Sequence, residues 1–392
     1  MELFEKCRSF TAARDAREQG VYPYFRPVEE NDGGVVVMEG KPRIMLGSNN
    51  YLGLTIDPRV KKAAADAALK YGSGCSGSRF LNGTFEMHRE LERELANFLQ
   101  KEAVVTFSTG FMANLGIISA ICGRGDYIFS DRENHASIYD GCKLSYAKMI
   151  RYKHGDMEDL ERHLAAVPEN AGKLIVTDGV FSMGGDICDL PSLVRLKEKY
   201  GARLMVDDAH SLGVLGERGR GTAEYFGLTD KVDIIMGTFS KSLASLGGYM
   251  AADEFVVDYV RHVSRPFIFC ASIPPANAAA ALAALRIIEN EPELPASLLR
   301  KANYVRSGLK ARGIPIRESL TPIVPIYTYD PETTLKAAKA LYEAGVYVNT
   351  VLPPATSPNE CLLRTSYMAI HTEEVLDEAM DIIKAVMEKG FE

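Results

Sequence analysis

The chain predicts an α/β fold: a mainly parallel central sheet with helices on both faces, plus a smaller C-terminal α/β unit. Three observations carry this reading. Short apolar runs recur along the first two thirds of the sequence, and segments of helical periodicity fill the gaps between them. Alternation of that kind builds a parallel sheet covered by helices. The length, 392 residues, suits two large domains or three small ones at roughly 100–200 residues each.

The first ~45 residues stand apart. They hold one charged helical stretch and then the turn-rich YPYFRPVEENDGGVVV, which reads as an N-terminal arm over residues 1–45. Strands are expected at Ala103–Ser108, Tyr127–Ser130, Lys148–Tyr152, Leu174–Thr177, Leu204–Asp207 and Ile234–Gly237. Several are continuous apolar runs, as strands buried on both faces require. Met157–Ala166 and Pro191–Tyr200 read as helices, the second opened by proline, whose fixed φ suits a first helical position. A large domain is therefore expected over residues 46–271. At Ser272 the composition shifts to Ile273-Pro274-Pro275 and an alanine-rich helix running to about Asn290. A helix after Pro295, strands at Ile323–Tyr327, Val346–Thr350 and Cys361–Thr365, and helices at Thr334–Ala344 and the C-terminus complete a unit over residues 272–392.

Charge and composition narrow the function. The net charge of −7 gives no electrostatic attraction to nucleic acid or anionic membrane. The N-terminal twenty residues lack the apolar core of a signal peptide. The longest wholly apolar run, Ala278–Leu285, falls far short of the ~20 residues that span a bilayer. A cytoplasmic location is expected. The seven cysteines are widely spaced and form no CxxC pair, so they read as free thiols rather than a disulfide framework or zinc site.

Two features mislead. Gly72-Ser73-Gly74-Cys75-Ser76-Gly77 matches GxGxxG, but a helical pattern at Pro58–Lys70 precedes it where a dinucleotide site needs a strand. A flexible turn is the better reading. His154 and His163 lie among acidic residues without ligand spacing, so no metal is expected and both are assigned to solvated helix faces.

The chemistry gathers at strand ends. Met236-Gly237-Thr238-Phe239-Ser240-Lys241 is an apolar strand running into a hydroxyl-rich loop with one lysine. Such an amine can form a Schiff base with an aldehyde cofactor, and the hydroxyls can hold a phosphate. Val206-Asp207-Asp208-Ala209-His210 delivers a carboxylate at a strand end. Pyridoxal phosphate needs one against its ring nitrogen, because the protonated ring is the better electron sink. Ser108-Thr109-Gly110-Phe111 leaves a strand and opens a helix, whose free N–H groups suit phosphate. Asn134-His135 follows the next strand, where an imidazole can stack on a ring. Ligands of open α/β sheets bind beyond such carboxyl ends.

These residues, in this order, resemble the α-oxoamine synthase family, pyridoxal 5'-phosphate enzymes of the aspartate-aminotransferase fold (fold type I). The likeness runs from Tyr22 to the C-terminal helix through SNNYLGL, GSGCSGSRFLNGT, FSTGFMAN, NHASIYDG, DGVFSMGGD, VDDAHSLGVLGERGRG, GTFSKSLASLGGY and PPATSP. It implies decarboxylating condensation of an amino acid with an acyl thioester. Lys241 then matches the cofactor-bearing lysine and α-proton base, Asp207 the ring-nitrogen partner, and His135 the stacking histidine. His210 and Ser182 match the groups at the phenolic oxygen. Thr109, Gly110, Phe111, Thr238 and Ser240 match the phosphate cup, which Ser272 completes from the second subunit of a homodimer. Arg364 matches the arginine that grips the substrate carboxylate, with Asn49 or Asn50 and Ser78 on the substrate side. Within the family, GSRFLNGT, YPYFRPVE and LRTSYMAIHT resemble the branch that joins L-serine to palmitoyl-CoA. Sister members use glycine or alanine. Gly184 departs from the pattern, where relatives usually carry an acid.

Overall fold

The computed structural model describes residues 2–390; residues 1, 391 and 392, the outer ends of the two terminal segments drawn above, lie outside them. The chain divides into two compact units. The larger comprises Asn49–Arg300 with Ser319–Pro322, and the smaller comprises the rest of the described chain.

The larger unit is built on a seven-stranded sheet. Its strands are β1 (Ala103–Phe107), β2 (Tyr127–Asp131), β3 (Lys148–Tyr152), β4 (Lys173–Asp178), β5 (Arg203–Asp207), β6 (Ile234–Thr238) and β7 (Gly248–Ala252). Their spatial order is β1-β7-β6-β5-β4-β2-β3. All neighbouring pairs are parallel except that β7 runs antiparallel to both β1 and β6. Every residue of β4, β6 and β7 is buried, which is why these segments carry no polar–apolar alternation. Val105, Ile117, Ile128, Val176, Met205, Met236 and Met250 share one core cluster.

Helices start where sequence chemistry caps them. Thr109 accepts the N–H of Met112 and opens Gly110–Ile121 after β1. His135 caps Ala136–Leu144 after β2 through the N–H of Ser137. Asp189 caps Leu190–Tyr200, which ends on left-handed Gly201. Side-chain acceptors at these positions satisfy N–H groups that a helix start leaves without partners.

The smaller unit holds two further sheets. Glu30–Asn31, Val35–Met38, Lys41–Met45 and Val346–Tyr347 form one. Ile323–Tyr329, Cys361–Ser366 and Asn349–Val351 form the other. Leu46, Leu309, Val324, Leu363 and Ile383 are among its core side chains. The expected single strand Val346–Thr350 is thus shared between two sheets. Val346–Tyr347 pairs parallel with Ile44–Met45, and Asn349–Val351 pairs with Leu362–Arg364.

Candidate active site

A cavity of about 270 Å³ lies beyond the carboxyl ends of the central strands of the larger unit. Lys241, Asp207, His210, His135, Ser182, Thr109, Gly110, Phe111, Thr238 and Ser240 all line it.

Lys241 sits in the loop from β6 to β7. That loop is closed by backbone bonds from Phe239 N to Gly247 O (2.9 Å) and Ser245 N to Phe239 O (2.8 Å). Phe239 is fully buried and stacks on Tyr249, so the segment that presents the lysine is anchored on both sides. Ala244 takes a left-handed φ of 51° to make the turn.

Asp207 ends β5 and is 4% exposed. Its Oδ1 accepts the Ala209 N–H at 2.9 Å, and its Oδ2 accepts Nδ2 of Asn114 at 2.7 Å. The two donors fix the plane of the carboxylate. Asp178 lies directly opposite on β4 and also lines the cavity. Two such carboxyls cannot both ionise cheaply. Burial, then the charge on Asp207, raise the Asp178 carboxyl well above its usual range, against the pull of the His135 N–H.

His135 Nδ1 accepts the Ser137 N–H at 3.3 Å and meets Ser137 Oγ at 2.7 Å. Its ring makes an edge contact with Phe111, the centroids 6.3 Å apart. Burial lowers its pKa and Lys241 pushes the same way, opposed by Asp207. The neutral ring therefore carries its proton on Nε2. His210 is anchored by the buried Tyr51, whose hydroxyl meets Nδ1 at 2.6 Å.

Thr238 Oγ1 meets Ser240 Oγ at 2.9 Å and donates to Gly247 O at 3.0 Å. Gly110, at the first turn of its helix, lies so close that an added Cβ would stand 2.9 Å from both Cβ and Oγ1 of Thr238. Backbone N–H groups and two hydroxyls are thereby brought to one spot, a cradle suited to an anion.

Five expected residues do not line this cavity. Ser272 is buried beside a small separate pocket with Arg79 and Ser108, and its N–H bonds to Gly77 O at 3.0 Å. Ser78 is buried and bridges to Ala271. Asn50 donates to Thr55 Oγ1 at 2.7 Å, and Asn49 Oδ1 accepts from the Tyr51 hydroxyl at 3.4 Å. Arg364 belongs to the smaller unit, where it is buried and donates to Ser366 Oγ at 2.9 Å.

His154 departs from its expected place on a solvated face. It is half-buried, with Nδ1 at 3.0 Å from Asp131 and Nε2 at 2.8 Å from Asp186. Burial pushes its pKa down, but Asp131 and Asp186 outweigh that and raise it to about 10. The imidazolium ties the end of β2 to the loop that carries Ser182. His163 does lie on an exposed helix side, beside Asp159. Among the described residues no cluster of His, Cys, Asp and Glu could hold a metal. All seven cysteines are free. The GxGxxG stretch follows the helix Pro58–Tyr71 directly and is mostly exposed: nothing lies within 4 Å of a Cβ placed on Gly72 or Gly74, and only Gly77 is closely approached, by the Asn82 side chain.

The donor set is specific: an amine, a carboxylate held by two N–H donors, two anchored imidazoles and an anion cradle. Together they fit pyridoxal phosphate, whose aldehyde, ring nitrogen, ring face and phosphate each need one of these groups.

Residues 41–383 match the family model described as aminotransferase class I and II. The chain belongs to that family. It is 50% identical to a serine palmitoyltransferase of Sphingobacterium spiritivorum, covering 99% of this chain and 98% of the relative. It is 47% identical to an 8-amino-7-oxononanoate synthase of Geobacter sulfurreducens, covering 93% and 94%. A high-resolution structure of SPT with PLP superposes with a TM-score of 0.97 at 38% identity, covering 99% of both chains. A Sphingomonas wittichii serine palmitoyltransferase structure gives 0.96 at 37%, again over 99% of both. The fold is that of this family, with a mostly parallel sheet flanked by helices.

Sequence reasoning passed over Asn114, Asp178, Tyr51 and Ser137. Asn114 and Tyr51 stand inside FSTGFMAN and SNNYLGL, strings that were matched whole without assigning these side chains. Their partners, Asp207 and His210, are about 93 and 159 positions away, so no local pattern joins them.

Proposed function

We propose that this chain condenses L-serine with a long-chain acyl thioester, palmitoyl-CoA being the reference donor, to give 3-ketodihydrosphingosine, CoA and carbon dioxide. The observation that carries the reading is one cavity that unites Lys241, Asp207, His135 and His210 with the Thr109–Phe111 and Thr238/Ser240 cradle. Likeness to serine palmitoyltransferases over nearly the whole chain supports the choice of serine.

Pyridoxal phosphate, when bound, supplies an aldehyde for the amine and a ring that accepts the electron pair released at Cα. Thr238, Ser240 and the N–H groups of Gly110 and Phe111 hold its phosphate. Asp207 keeps a proton on the ring nitrogen, and its two N–H donors keep the carboxylate aimed. His210, steadied by Tyr51, and Ser182 hydrogen-bond the phenolic oxygen. Lys241 Nζ would hold the cofactor's aldehyde carbon, and the same amine, when free, takes the Cα proton. His135 packs on the ring face and offers Nε2–H to the serine carboxylate, which Arg364 grips with a bidentate fork. Asn49 or Asn50 and Ser78 serve the substrate side. Cα then bonds to the acyl carbonyl carbon, CoA leaves as the thiolate, carbon dioxide departs, and Lys241 returns a proton to Cα. A homodimer, with Ser272 completing the phosphate cup of the second copy, is part of the same reading. No helix among the described residues is long and apolar enough to cross a membrane.

A second reading keeps every residue role and changes the amino acid to glycine or alanine, as in 8-amino-7-oxononanoate synthase or 2-amino-3-ketobutyrate CoA ligase. Its support is the 47% identity to the Geobacter sulfurreducens synthase. An absorbance titration of the cofactor-loaded protein with L-serine, glycine, L-alanine and L-threonine separates the two. A saturable response to serine, followed by CoA release on adding palmitoyl-CoA, is expected. Productive turnover with glycine or alanine instead moves the chain to the sister reading.

A further inference from the structure

One amide joins the two halves of the site. Asn114 is 1% exposed and stands on the helix Gly110–Ile121, one turn below the phosphate cradle. Its Nδ2 donates to Asp207 Oδ2 at 2.7 Å and to Ser137 Oγ at 2.8 Å. Ser137 Oγ in turn meets His135 Nδ1 at 2.7 Å. The orientation of the amide is fixed by chemistry: an ionised carboxylate only accepts, so the NH₂ end must face Asp207. Both amide hydrogens are then committed, one to each partner. Because Ser137 Oγ accepts from Asn114, its own hydrogen is directed to His135 Nδ1, which also accepts the Ser137 N–H. That leaves Nε2 as the protonated nitrogen, on a ring that lines the cavity.

We propose that Asn114 is a positioning residue that couples the Asp207 carboxylate to the His135 imidazole, setting the aim of the first and the proton placement of the second through one NH₂ group. The part concerning cofactor affinity rests on the function proposed above; the part concerning His135 does not. Removing Asn114 frees Ser137 Oγ to accept from a protonated Nδ1, and leaves the Asp207 charge less neutralised beside the ring. Both changes favour imidazolium, so the His135 pKa rises. Asp207 loses one of two bonds that hold its plane. A hydrogen bond to a charged group of this kind corresponds to about ten- to a hundredfold in affinity.

The test compares wild type with Asn114→Leu, which keeps the volume and removes both donors. Two quantities are read. The first is the pyridoxal phosphate dissociation constant, by equilibrium dialysis against the apoprotein. The second is the His135 titration in the cofactor-free chain, by NMR of ring-15N histidine, with the resonance assigned through His135→Asn. The expected result is a dissociation constant raised about ten- to a hundredfold together with an upward shift of the His135 titration. Asn114→Ser, the fallback where the leucine variant does not fold, has a single hydroxyl hydrogen and can serve one partner, so at least one quantity must move. A variant that lowers the thermal midpoint while leaving both quantities at wild-type values would overturn the proposal, since Asn114 would then be a packing residue. Because the histidine titration needs no cofactor, it decides the role of Asn114 even where the cofactor assignment fails.

Discussion

Gly110→Ala isolates the anion cradle from the rest of the site. The added methyl would stand 2.9 Å from both Cβ and Oγ1 of Thr238, and 3.4 Å from Cε of Met236. Optimal carbon–carbon contact is about 3.5–4.0 Å, so Thr238 or the helix start must retreat by roughly half an ångström or more. Neither has an easy path. Thr238 is tied to Gly247 O at 3.0 Å and Ser240 Oγ at 2.9 Å. Behind the helix start, the Gly110 Cα occupies the space a Gly248 Cβ would need, at 2.7 Å. Forcing a methyl into such packing costs about 1–3 kcal/mol. With the two displaced elements as the proposed phosphate cup, most of that cost should fall on cofactor binding, about five- to 150-fold in the dissociation constant. Titration of apoprotein with pyridoxal phosphate measures it. Gly123→Ala is the control, because nothing lies within 4 Å of its Cβ position. Wild-type affinity in Gly110→Ala would refute the assignment of the cradle.

Other perturbations separate the remaining roles. Lys241→Ala should abolish turnover and the visible absorbance of bound cofactor, and full turnover would remove the lysine from the mechanism. Asp207→Asn keeps the shape and removes the charge, so kcat should fall at least about a hundredfold while the thermal midpoint changes little. Tyr51→Phe should leave folding intact and lower kcat about tenfold through a misaligned His210, and unchanged kcat would make the tyrosine a packing group only. His371, 1% exposed in the smaller unit, has its pKa lowered by burial from 6.5 to about 4. Its folded-state value lies below the unfolded one, so stability is intact above about pH 6.5 and is lost as pH falls toward 4. At about 1.4 kcal/mol per pH unit the loss reaches about 3 kcal/mol near pH 4. Denaturant unfolding of His371→Asn should show a flatter acid limb than wild type, and an identical limb would assign the acid sensitivity elsewhere.

Legibility followed the physics of each element. Most of the parallel-running strands of the large sheet were readable because burial on both faces selects apolar runs such as LIVT and LMVD, whereas β3, KMIRY, lies at the sheet edge and is largely exposed or half-buried. β7, Gly248–Ala252, was not, since GYMAA carries small residues that fit between two neighbours and shows no strand-like run. The strands Val35–Met38 and Lys41–Met45 were hidden in a turn-rich arm, because their sheet is completed by Val346–Tyr347, some 300 positions away. Thr109, Gly110, His135, Asp207 and Thr238 were legible because each ends a strand or opens a helix, where sequence shows both the apolar run and its interruption, and His210, Ser240 and Lys241 lie in the loops just beyond. Asn114, Tyr51 and Ser137 act through other side chains, and His154 finds Asp131 and Asp186 only once the chain is folded. Those pairings have no periodicity, so local patterns do not reveal them.

Product stoichiometry with purified cofactor-loaded protein measures the condensation most directly. Carboxyl-labelled L-serine and palmitoyl-CoA are supplied together and separately, and labelled carbon dioxide and free CoA thiol are counted. One of each per turnover is expected, only when both substrates are present, with glycine and alanine far slower in serine's place. Carbon dioxide from serine alone, or faster CoA release with glycine or alanine, would contradict it.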